Sequence, residues 1–114
     1  MRVLANEGYR KREDSIMTDA GRIELLNVNH PGKARPVDAA MYGAMKAAML
    51  AFLPDGKPGL TVAQLQAGVP ALLPQDLYPG GAKAGWWVKA VQLDLEARGI
   101  IRREKVSPLR LYRA

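Results

Sequence analysis

The sequence predicts a mainly α domain with a small β-sheet, an α+β fold, on three observations. Apolar residues recur at spacings of three and four over residues 37–53 and again over 82–98. A capping signal at Thr61 opens a further helix between them. Apolar and basic residues then alternate over 100–112, the pattern of a terminal β-hairpin.

With 114 residues, 48% of them hydrophobic, the chain can bury one small core. Residues 1–20 mix Arg10, Lys11, Arg12, Glu13 and Asp14 without a sustained apolar period, and read as a flexible N-terminal extension. The folded domain is therefore expected over residues 21–114.

Its first element is a short strand in "RIELLNV", residues 22–28, followed by the turn-forming "NHPGK". From Val37 the period becomes helical. Met41, Met45, Ala48, Met49 and Phe52 form the stripe, Asp38 is the N-cap, and the methionines are most simply core. "LPDGKPG" ends that helix because it concentrates proline and glycine. Thr61 and Gln64 have the spacing of a capping box for the second helix, which Gly68 and Pro70 end or kink. A third helix begins near Ala82 and stops at Gly99. Ile100 and Ile101, then Leu109 and Leu111 alternating with Arg110 and Tyr112, give two strands joined around Ser107 and Pro108.

Composition narrows the function classes. Without cysteine there is no disulfide framework, thiolate nucleophile or Cys-type metal site. The lone His30 has no His or Cys partner in sequence and no serine-nucleophile motif, so no catalytic residue, metal or cofactor is expected. No apolar run has the length of a signal peptide core or a membrane span, and the chain reads as cytoplasmic. A net charge of +6 favours an anionic partner.

"PGGAKAGWWVK", residues 79–89, holds the densest cluster of special residues. It is not a Walker motif, since the glycine-to-lysine spacing is wrong and no Ser or Thr follows Lys83. Two readings remain: a loose anion site made by backbone amides with Lys83, or a tight turn into the helix. Trp86 and Trp87 lie about 100° apart on a helix, so at least one belongs to the core, while an exposed Trp86 could stack on a base or anchor a partner. Around the third helix, Trp87, Val88, Val91 and Leu95 form one apolar arc and Trp86, Ala90, Leu93 and Ala97 another; Gly85, Lys89, Gln92 and Glu96 make a polar stripe. Gly85 inside a helix suggests that something approaches its backbone closely: a phosphate, the "NHPGK" loop or another protein.

Three helices running into a C-terminal hairpin, with "VQLDLEARGIIRRE" at the junction, resemble the winged helix-turn-helix superfamily. "GRIELLNVNHPGK" with "PGGAKAGWWVK" further resembles a small bacterial domain family of unknown function. The resemblance implies a winged-helix-like domain: three helices, a C-terminal wing and a short N-terminal strand. It also implies a transcriptional regulator binding double-stranded DNA, with Lys83, Lys89 and Gln92 on the third helix and Arg102, Arg103, Lys105 and Arg110 on the wing. Residues 99–114 carry a net +4, and these charges either contact phosphates or keep a sheet edge solvated. The linker of residues 69–81 departs from the pattern, being longer than the turn of a helix-turn-helix. A protein partner or homodimer without DNA binding is the alternative.

Overall fold

The computed structural model describes residues 21–114, and the extension read over residues 1–20 lies outside the described residues. The described residues begin with a hairpin where a lone strand is expected. β1 (Arg22–Leu26) pairs antiparallel with β2 (Ala34–Asp38), Ile23 opposite Val37 and Leu25 opposite Arg35. Only Val37 of β2 is buried, which leaves the strand little hydrophobic pattern to announce it. Pro36 is tolerated there because β2 lies at the edge of a two-stranded sheet.

Asp38 ends β2 and caps α1 (Ala39–Phe52), its side chain accepting from the Met41 amide at 2.9 Å. Met45, Ala48 and Met49 of the expected stripe point into the core together with Tyr42, whereas Met41 is half-buried and Phe52, at the end of the helix, is exposed. After the "LPDGKPG" break comes an unanticipated two-residue strand, β3 (Leu60–Thr61). Thr61 then forms the capping box with Gln64, both bonds present, and opens α2 (Val62–Gly68).

The connection from α2 to the next helix is packed. It contains two 3₁₀ turns, Val69–Leu72 and Pro79–Gly81, and buries Val69, Leu73 and Tyr78. The Tyr78 hydroxyl donates to the Met41 carbonyl at 2.8 Å, tying this connection to α1.

α3 (Ala84–Ala97) begins two residues later than the period suggests, because Lys83 takes a left-handed conformation with φ 66°. Gly99, at φ 74°, ends it. The Gly99 amide bonds the Glu96 carbonyl and the Ile100 amide bonds that of Leu95, the paired bonds of a Schellman motif. β4 (Ile101–Glu104) and β5 (Arg110–Arg113) follow as the expected hairpin. β5 is the middle strand of a three-stranded antiparallel sheet in the order β3-β5-β4. The described residues thus form a small α+β domain of three α-helices and two small antiparallel sheets.

Among the described residues, no helix is long and apolar enough to cross a membrane.

The β3–β5 contact leaves no room at Gly59. A Cβ there would collide with the backbone of Leu111, which cannot rotate away as a side chain could. Gly43, exposed on α1, has nothing within 4 Å of its Cβ position. Gly59→Ala is expected to destabilise the protein by about 2 kcal/mol or more. Gly43→Ala is expected to stabilise it by roughly 0.5–1 kcal/mol. Thermal or denaturant unfolding of the two variants measures both signs.

Candidate functional site between the hairpin and the third helix

The two arcs of α3 face different neighbours. Trp87, Val88, Val91 and Leu95 are buried in the main core. On the opposite side, Trp86, Ala90 and Leu93 line a groove whose other wall is the β1–β2 hairpin.

A buried carboxylate fixes the hairpin in that position. Asp94 is fully buried, and its Oδ1 accepts from the Leu26 amide at 2.8 Å. Its Oδ2 accepts from the Tyr42 hydroxyl of α1. Arg98, one turn later, donates its Nε to both carboxylate oxygens, at 3.0 and 2.9 Å. The same guanidinium reaches the Glu24 carbonyl of β1 at 2.7 Å. A backbone bond from the Val28 amide to the Leu93 carbonyl, 3.2 Å, completes the attachment. Burial, together with Asp94, drives the Tyr42 hydroxyl well above the ordinary tyrosine range, so it stays a donor. For Arg98, burial opposes the charged form, but the Asp94 hydrogen bond and charge outweigh it and raise its pKa.

The "NHPGK" turn closes on itself. The Asn29 amide bonds the Asn27 side chain at 2.8 Å, the His30 amide bonds the Asn27 carbonyl, and the Lys33 amide bonds the His30 carbonyl. Gly32 supplies the positive φ of 85° that the turn needs.

Between turn and helix lies a groove of about 530 Å³. Leu26, Trp86, Ala90 and Leu93 supply apolar walls, while Lys33, Arg35 and Lys89 bring positive charge and no carboxylate lines it. Trp86 is 49% exposed, whereas Trp87 beside it is only 6% exposed. The Arg35 guanidinium lies over the Trp86 ring, 5.5 Å from its centroid. Trp86 meets Trp87 edge-on, and Trp87 meets Tyr78 in the same way, with centroids 5.2 and 6.3 Å apart.

The seven residues assigned to a nucleic-acid surface do not form one free basic face. Lys83, Lys89, Arg102 and Lys105 are exposed, as that role needs. Gln92 is not available to base edges: it is fully buried, its Nε2 donates to Glu96 at 2.7 Å, and its Oε1 has no partner. The helical wheel placed it on a polar stripe, but the sheet and the Glu96 side chain close over that part of α3. Arg103 is bound to Glu96 through two hydrogen bonds, at 2.9 and 3.1 Å, which also raise its pKa. Arg110 donates to the Gly59 carbonyl at 2.9 Å.

The "PGGAK" stretch forms a tight turn into α3. Gly80, Gly81 and Lys83 all have positive φ. The amides of Gly80, Gly81 and Ala82 donate to Gln75, Tyr78 and Pro79, so none points at a ligand. Gly85 is exposed, with nothing among the described residues within 4 Å of a Cβ, so the "NHPGK" loop does not approach it. Among the described residues, no group of three His, Cys, Asp or Glu could hold a metal ion.

The groove itself was not read from the sequence. Its two walls lie about sixty residues apart, and the only signal was that both carry the unusual motifs. Residues 22–111 match a family model described as "Family of unknown function (DUF6958)". No curated protein and no solved structure matches the chain.

Replacing Arg98 by alanine removes the charge that compensates Asp94 and the clamp on Glu24. Arg98→Ala is expected to cost about 3 kcal/mol. Amide hydrogen exchange should accelerate more in β1 and β2 than in β4 and β5. Equal acceleration in the two hairpins would contradict the role given to this network.

Proposed function

The chain belongs to this family of unknown function, and we propose that it is a non-enzymatic, winged-helix-like binding protein that docks on the phosphate backbone of duplex DNA. The element order α1-β3-α2-α3-β4-β5, with the strand between the first two helices paired to the last strand, supports the winged-helix reading. The observation that carries the binding role is the state of its cations. Lys83, Lys89, Arg102 and Lys105 are exposed and take part in no ion pair among the described residues. Lys83 precedes α3, Lys89 lies in its N-terminal half, and Arg102 and Lys105 are on the wing, where the negative charge of a backbone would replace water.

Base readout is not part of this proposal, because Gln92 is buried and the Glu96–Arg103 pair occupies the face beside it. Phosphate contacts position a protein without specifying sequence. Weak sequence preference and steep salt dependence follow.

Four phosphate contacts give a slope of about −3.6 for log affinity against log salt. Anisotropy of a labelled duplex should therefore show affinity falling on the order of a hundredfold between about 50 and about 200 mM salt. Lys83→Gly removes a charge from a position with φ 66°; it should reduce the slope by about 1 without lowering the unfolding midpoint. Absence of binding at low salt, or affinity indifferent to salt, would sink the proposal.

A homodimer is the second reading. Phe52 at the end of α1 and Leu72 in the adjoining 3₁₀ turn are apolar and exposed, at 36% and 51%. Sedimentation should then show self-association that Leu72→Ser weakens. A monomer at every concentration would remove this reading.

A further inference from the structure

We infer that the groove between the β1–β2 hairpin and α3 is a binding site for a small planar apolar molecule bearing one carboxylate. The inference does not depend on DNA binding. At about 530 Å³ the groove has the size of a small-molecule site. Its walls at Leu26, Ala90, Leu93 and Trp86 are largely apolar, so water against them is readily displaced by an apolar body, while Asn27 and His30 line the groove at the hairpin turn. Half-exposed Trp86 supplies a flat surface against which such a body packs.

Charge selects the rest of the ligand. Lys33 from the turn, Arg35 from β2 and Lys89 from α3 converge on the groove, and no acid lines it. None of the three has an ion pair among the described residues. Arg35 instead rests on Trp86, 5.5 Å from the ring centroid. A guanidinium resting on the ring still presents the edge of its planar fork, and that edge can pair with a carboxylate in the groove. One anionic group answers three converging like charges, whereas a neutral ligand leaves their repulsion in place. The chemical class is thus an aromatic or similarly flat carboxylic acid in its ionised form.

The test uses the full-length protein labelled with ¹⁵N, whose two tryptophan indole N–H signals are assigned with Trp86→Phe. Titration with 2-naphthoate should shift the Trp86 signal saturably. The neutral 2-naphthalenemethanol should bind at least tenfold more weakly, and acetate should give no saturable shift over the same range. Arg35→Gln and Lys89→Gln, each with an unchanged unfolding midpoint, should weaken naphthoate binding at least fivefold and leave the alcohol unaffected. Equal affinity for acid and alcohol, or no saturable shift with naphthoate, overturns the inference. So does tighter binding in the groove by oligothymidylate or by an acidic phenylalanine-containing peptide, since the occupant is then a macromolecule.

Discussion

The position of Asp94 constrains much of this structure. A carboxylate with no solvent exposure must be matched by donors, since an unmatched buried charge costs several kcal/mol. Its donors come from three places: the β1 backbone at Leu26, the α1 side chain at Tyr42, and Arg98 one turn along α3. The network therefore sets where the hairpin lies against the helices. Apolar contact alone, through Ile23, Leu25 and Val37, would hold the hairpin to the core without specifying its register along α3. The direction of the hydrogen bonds supplies that register, and the groove is the space it leaves.

The legibility of the sequence follows the range of the interactions. α1 and α3 are visible because their burial is periodic, and α2 because Thr61 and Gln64 satisfy each other three residues apart. The end of α3 is visible in Gly99. β2 is hidden because one buried residue, Val37, cannot establish an alternation, and Pro36 argues against a strand. β3 is too short for any pattern and exists through its pairing with residues 110 and 111. The Asp94 network joins positions 68 and 52 residues apart, which no local spacing can reveal. Gln92 shows the complementary error: a helical wheel reports which residues share a face, not whether another element lies over it.

The glycine-rich motif that begins α3 also has a plain physical role. Its positive φ values at Gly80, Gly81 and Lys83 turn the chain sharply enough to bring Tyr78 under the helix and Trp86 outside it. The helix then sets the adjacent tryptophans about 100° apart around its axis. Trp87 and Tyr78 join the interior and Trp86 is left at the groove, still in edge contact with Trp87. The aromatic residues thus form a continuous path from core to surface. One side of that path is stability, and the other is available for recognition.

The strand order β3-β5-β4 also bears on how the chain is made. Synthesis delivers the chain from its N-terminus at about 5–20 residues per second, and domains generally fold as units. The N-terminal hairpin has both strands within residues 22–38 and can pair early. β3 cannot, because its partner β5 lies some fifty residues downstream. Until Leu111 is available, Leu60 and the backbone beside Gly59 have no ladder to join, and the sheet side of the core stays open. Closure of this sheet thus waits on β5, however much of the helical structure has already formed.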